Sequence, residues 1–195
     1  VVFLLLIRGD PEIVARNSRH VALWASLTTF VVSLMLWYYF DSSSAGFQFV
    51  EKHPWMPSFG IDYHMGVDGI SVFFVILSTF LTPICVLASW EAIQLRVKEF
   101  MISFLLLETL MVGMFCALDF VVFYVFFEGV LIPMFLIIGV WGGGNRVYAA
   151  FKFFLYTLTG SVLMLVAILV MYFDADTLDI PKLMQINFAP ELQIW

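Results

Sequence analysis

FLLLETLMVGMFCALDFVVFYVFFEGVLIPMFLIIGVWGG, residues 104–143, is apolar almost from end to end and twice as long as one bilayer crossing requires. About 20 apolar residues carry a helix across the hydrocarbon core. Asp119 interrupts the run near its centre, and an acid at that place predicts a tight hairpin between two antiparallel spans. An acid at a helix boundary is also the ordinary N-cap, and that role is expected of Asp119 and of Asp68.

The rest of the chain is of the same kind. Of its 195 residues 63% are hydrophobic and only 12% are charged, with a mean hydropathy of +1.00. A soluble domain is about 45–50% apolar and about 25% charged. The apolar runs predict helices over 20–40, 66–90, 100–117, 120–141 and 147–173, with a stub of helix over 1–7. The expected fold is therefore an all-α polytopic membrane protein, a single transmembrane domain over 1–195. The polar stretch 41–65 is expected to be an extracytoplasmic loop with interfacial Trp and Tyr anchors. Residues 1–7 lack the charged lead and cleavage site of a signal peptide, and the chain reads as a fragment of something longer.

Several function classes are excluded. A net charge of −6 with no basic patch argues against nucleic acid. Cys85 and Cys116 lie in apolar runs without paired spacing, which predicts small buried core residues and neither a metal nor an Fe–S site. His20, His53 and His64 are scattered, without ligand spacing. WGGGN at 141–145 joins two spans and lacks the Lys-Ser/Thr of a phosphate loop, so it is a hairpin turn. Arg8, Arg16, Arg19, Arg96, Lys98 and Arg146 fall on one side, Lys52 and Lys182 on the other. The positive-inside rule makes the first side cytoplasmic, so the stub arrives from outside and the last loop lies outside.

Three charged residues fall inside spans: Glu108, Glu128 and Lys152. Each costs on the order of 3 kcal/mol at mid-membrane, so the default reading is functional. Glu108 lies 11 residues before Asp119 and Glu128 lies 9 after it. At about 1.5 Å per residue both sit roughly 14–16 Å from the hairpin, at one depth. If both face the hairpin contact they sense each other, and such carboxyls suit a proton relay. The plain alternative is a neutral glutamate hydrogen-bonded to a neighbouring helix. Pro133 leaves the Gly129 carbonyl without its helical donor, which suits either a hydrated pocket beside Glu128 or a packing kink. Lys152, Tyr156 and Thr159 recur at i, i+4 and i+7 as one polar stripe, expected to face the bundle interior. Snorkelling of Lys152 to the interface is the alternative.

The segments FGIDYHMGVDGISVFFVILSTFLTPICVLASW (59–90), 104–143 and RVYAAFKFFLYTLTGSVLMLVAIL (146–169) resemble the antiporter-like chain 4, or M-type, subunits of respiratory complex I. FFEGVLIPMFLIIGVWG favours the M-type over the sister L- and N-type chains. The resemblance covers at least 59–169 and implies fourteen helices with two inverted five-helix repeats, of which this chain would supply the beginning. It implies proton transfer through Glu128, at the position of the family's fifth-helix glutamate, and through Glu108, at that of the fourth-helix acid. Lys152 falls, more loosely, where many members carry a sixth-helix lysine, and it is the third residue expected to take part in proton transfer. The seventh-helix lysine that pairs with the glutamate lies beyond the chain given. The resemblance further implies a subunit of an NADH:quinone oxidoreductase in a bacterial plasma membrane or mitochondrial inner membrane. No flavin, Fe–S cluster or quinone chemistry is expected in this chain, and other membrane-arm subunits, including L- and N-type chains, are the expected partners. The rival readings are a multisubunit cation/proton antiporter or membrane-bound hydrogenase subunit, and a structural membrane subunit that conducts nothing.

Overall fold

The computed structural model describes residues 1–189. In chain order the elements are α1 (Val2–Leu6), α2 (Pro11–Tyr39), β1 (Gln48–Met56), β2 (Ile61–Val67), α3 (Gly69–Ala92), α4 (Val97–Cys116), α5 (Phe120–Trp141), α6 (Arg146–Ala175) and α7 (Ile180–Leu183). The helices α2 to α6 are long and apolar enough to cross a membrane. The molecule is an integral membrane protein of helix-bundle architecture.

The span boundaries follow local chemistry. Asp68 opens α3 with a capping box: its carboxylate accepts from Ile70 and Ser71 N–H, and Ser71 Oγ accepts from Asp68 N–H at 2.8 Å. Asp119 caps α5, accepting from Val121 N–H at 2.8 Å and Val122 N–H at 3.4 Å. The predicted hairpin between α4 and α5 is thus three residues, 117–119. The glycine-rich turn after Trp141 joins α5 to α6, as expected.

Three expectations are corrected. Helix α2 begins at Pro11 and not near 20. Glu12, Arg16 and Arg19 keep its first turns below any hydropathy threshold, yet Asp10 caps Glu12 N–H at 3.0 Å and Pro11 suits a first helical position. The stretch 41–65 is not a plain loop, and the chain is not wholly helical. β1 and β2 pair antiparallel, with Lys52 opposite His64 and Pro54 opposite Asp62. Gly60, at φ 65°, takes the left-handed position that closes the connecting turn. Lastly, Cys85 is exposed on the outside of the bundle and Cys116 is only half-buried.

The bundle is assembled at both ends and along small residues between. At the arginine-rich end, Leu4 of α1 is fully buried with Ala22, Val86, Val97, Phe100, Met101 and Leu105. Arg19 donates to the Ile93 carbonyl at 2.7 Å, and Lys98 donates to the carbonyls of Leu5 and Ile7 at 3.2 and 2.9 Å. At the opposite end Ile61, Ile168 and Leu178 form a second cluster. There β2, the 117–119 turn and the segment after α6 are stitched together by Leu118 N–H to His64 O and Ile180 N–H to Leu118 O, both at 2.9 Å. The six cations on one side and two on the other therefore divide between the ends as their loop positions predict.

Lipid offers no hydrophobic drive between helices, so contact rests on close packing and interhelical hydrogen bonds. Ser33 of α2 and Thr79 of α3, both buried, bond hydroxyl to hydroxyl at 2.7 Å. Ser33→Ala should cost about 0.6 kcal/mol, the mean for such bonds in membranes. The check is thermal unfolding of the full-length subunit in detergent, and a loss above about 2 kcal/mol would show that more than this bond is involved.

Candidate functional site: carboxylates inside the spans

Helix α5 meets α4 through Phe126, whose ring lies over Gly113, and through Gly129, which faces Leu110. At about 100° per residue, Glu128 is rotated roughly 100–160° away from that stripe. It turns toward α6, into an open cavity of about 520 Å³ lined by Tyr124, Val125, Glu128, Gly129, Ile132 and Phe154. Its Oε1 is buried and has no hydrogen-bond partner among the described residues. Tyr124, one turn earlier, interacts through its hydroxyl with Glu128 and with Ser161 of α6, which is itself buried. Pro133, fully buried one turn beyond Gly129, removes the N–H that would pair with the Gly129 carbonyl. A carboxylate with one unpaired oxygen, a phenol, a serine hydroxyl and a freed carbonyl thus gather at one helix interface.

Glu108 is at the same depth but elsewhere. It is 5% exposed, and its Oε1 also lacks a partner among the described residues. It shares the face of α4 that carries Val97, Met101 and Leu105, which packs against α2 and α3. Leu110 and Gly113, the residues that touch α5, lie roughly 140–160° around the helix from it. The two carboxylates therefore do not face each other across the hairpin. Equal distance from the turn sets depth, while the packing partner sets azimuth.

Lys152 departs from expectation too. Its stripe with Tyr156 and Thr159 is exposed, Tyr156 at 85%, and Lys152 Nζ sits 5.8 Å over the Tyr148 ring. The buried face of α6 is that of Ala150, Ser161 and Ile168, and a residue two positions from Ala150 points almost directly away from it. The stripe looks outward from the bundle that the described residues form.

A cluster without sequence signature lies at the β-hairpin end. Lys52 Nζ contacts Asp179 Oδ2 at 2.6 Å and Asp62 Oδ2 at 3.1 Å, and the buried His64 places Nδ1 3.3 Å from that same Asp179 oxygen. Asp179 also caps α7 by accepting from Lys182 N–H at 3.2 Å. Burial alone would raise the Asp179 carboxyl, but Lys52, the Lys182 N–H and His64 hold it below its ordinary value of 3.8. Asp179 in turn raises Lys52 above its ordinary 10.5. Burial lifts Asp119 against the pull of its capped N–H groups. Nothing in sequence spacing announces a tie between residues 127 apart.

The pH dependence of this tie follows from the depressed carboxyl. Its stabilisation is present above pH 3.8, where an unpaired aspartate is ionised, and is lost as the pH falls through the lower folded value. At the alkaline end it is fully present below 10.5 and is lost as the pH rises from there through the raised Lys52 value. Asp179→Asn should free the hairpin from the segment after α6 and remove the acid-side loss. Hydrogen exchange at Leu118 and Ile180 is expected to quicken in the variant, and equal rates in both proteins would refute the tether.

Five helices able to cross a membrane, two of them carrying a mid-depth carboxyl with one buried, unpaired oxygen, define a polytopic membrane protein with ionisable groups inside its spans. The comparisons agree. Residues 13–117 match the family model for the amino terminus of NADH-ubiquinone oxidoreductase chain 4. Residues 117–194 match the model described as NADH:quinone oxidoreductase/Mrp antiporter, transmembrane region. The chain belongs to the NADH-ubiquinone oxidoreductase chain 4 family. It is 54% identical to NADH-quinone oxidoreductase subunit M of Rhodobacter capsulatus, over 96% of this chain and 36% of that protein. It is 52% identical to NADH-ubiquinone oxidoreductase chain 4 of Arabidopsis thaliana, over 95% of this chain and 38% of that one. Among solved structures, a chain of respiratory complex I from Thermus thermophilus superposes with a TM-score of 0.80 at 26% identity, covering 95% of this chain and 39% of that one. The chain thus spans less than two fifths of the length of these curated relatives.

Proposed function

We propose that this chain forms part of a proton-translocating membrane-arm subunit of NADH:quinone oxidoreductase. The observation that carries the reading is the half-buried Glu128 carboxylate at the cavity between α5 and α6, whose Oε1 is buried without a hydrogen-bond partner among the described residues while the Tyr124 hydroxyl reaches the group. A carboxyl so placed can take up and release a proton, which a satisfied ion pair cannot. Tyr124 and Ser161 offer hydroxyls through which the proton moves laterally toward α6. Glu108 is proposed as a second proton-holding site, reached from the α2–α3 side. For Lys152, on the outward face of α6, the proposed role is to set the charge along that face.

Flavin, Fe–S and quinone chemistry belong, in this proposal, to other subunits. The L- and N-type antiporter-like chains are the proposed membrane-arm partners, in a bacterial plasma membrane or mitochondrial inner membrane. Support comes from relatives named as NADH-quinone and NADH-ubiquinone oxidoreductase chains and from the likeness to a chain of respiratory complex I. The test is Glu128→Gln in the full-length parent, assembled in membrane vesicles, with NADH oxidation and proton uptake recorded together.

A further inference from the structure

We propose that the arginine-rich end of the bundle carries a binding site for the phosphate of an anionic phospholipid. A cavity of about 590 Å³ opens there between the α3–α4 linker and the α5–α6 turn, and Ile93, Leu95, Arg96, Val140, Trp141 and Arg146 line it. Two guanidinium groups thus border one recess, each incompletely used. Glu99 engages only Nε of Arg96, at 3.6 Å, in an exposed pair. Arg146 gives one N–H to the Val140 carbonyl at 2.8 Å, and a guanidinium has five to give. Planar forks of this kind suit phosphate oxygens.

The recess is built and not incidental. Trp141 Nε1 donates to the Leu95 carbonyl at 2.8 Å and Arg19 donates to that of Ile93 at 2.7 Å, so both ends of the linker are fastened. Directly after Leu95, Arg96 holds a left-handed backbone at φ 52°, a conformation that non-glycine residues keep only when the surroundings impose it.

The site's place in the bilayer selects a lipid over a soluble anion. It lies at the ends of four spans, at the level where a tryptophan anchors and where basic recesses between helices meet headgroups. Leu95, 79% exposed in the same lining, offers apolar surface beside the cations, which acyl chains match and inorganic phosphate does not. This proposal is independent of any role for Glu128.

The experiment uses the assembled full-length complex in phosphatidylcholine vesicles doped with a photoactivatable phosphatidylglycerol, adducts being mapped by peptide mass spectrometry. Adducts are expected on peptides holding Leu95 and Trp141. They should exceed those from a matched phosphatidylcholine probe by about ten-fold, the worth of one good charge-assisted contact. Arg96→Gln with Arg146→Gln should bring labelling down to the phosphatidylcholine level. The probe comparison stands on the unaltered protein, so it decides the matter even if the double variant does not assemble. Equal labelling by both probes, or none at these peptides, would overturn the proposal. Loss of labelling on adding inorganic phosphate would overturn it in favour of a free-anion site.

Discussion

Glu128→Gln in the assembled complex is expected to reduce proton uptake per NADH to less than about one-tenth of the parent's, while assembly is unchanged. Glutamine keeps the size and the hydrogen-bonding shape of a neutral glutamic acid, so the α5–α6 interface should close around it as before. What it lacks is a proton that can leave. Removing a positioned proton-transfer group typically costs about 10²–10⁴-fold in rate. Glu128→Asp keeps the proton but withdraws it by one methylene from Tyr124, and should retain a measurable part of the pumping. Unchanged proton uptake per NADH in Glu128→Gln, with matched assembly, would make Glu128 a structural acid and favour the non-conducting reading. A complex that translocates ions without co-purifying NADH dehydrogenase activity would point instead to the antiporter reading.

The same geometry bears on how the two acids relate. A proton passed directly between them would need both carboxyls in the α4–α5 contact, and that contact is occupied by Gly113, Phe126, Leu110 and Gly129. Glu108 opens toward the α2–α3 side of the bundle and Glu128 toward α6, so the acids serve two interfaces of one hairpin.

The fold was legible where hydropathy alone decides, and α5 matches its predicted span of 120–141 to the residue. It was not legible where polarity and helix coexist. The first two turns of α2 carry charges outside the hydrocarbon core yet remain helical, because the cap at Asp10 and the packing of Ser18 and Ala22 hold them. The β-hairpin escaped because β1 is exposed along its length and bears Pro54, the pairing has two register shifts, and β2 shows no clean alternation. Depth along a helix needs only a residue count, so Glu108 and Glu128 were placed at one level without coordinates. Which way each points depends on which neighbour the helix packs against, and no count supplies that. The polar stripe of Lys152 failed for the same reason. The Lys52–Asp179 tie joins segments brought together only by tertiary structure.

Gly113→Leu is expected to disrupt the α4–α5 hairpin on which both carboxylates depend. Even a single carbon at Gly113 would stand 2.5–2.7 Å from the Phe126 ring, closer than real contacts allow. That ring must then move, or the two helices must part. Overpacking of this sort costs about 1–3 kcal/mol. In lipid no hydrophobic gain from the larger side chain offsets it, because the side chain is as well accommodated by acyl chains. Gly113→Ala should therefore lower thermal stability of the assembled subunit, and Gly113→Leu should reduce the amount of complex recovered from membranes. Gly160 on α6 supplies the control, since a carbon added there meets nothing within 4 Å among the described residues. Gly160→Ala removes the helix-weakening freedom of glycine, worth about 1 kcal/mol, and should be neutral or stabilising. Equal tolerance of Leu at 113 and Ala at 160, judged by native gel and melting temperature, would mean that the Phe126 ring is free to swing aside. The α4–α5 contact would then rest on Gly129 and Leu110 alone, and the azimuth that turns Glu128 toward α6 would lose one of its two anchors.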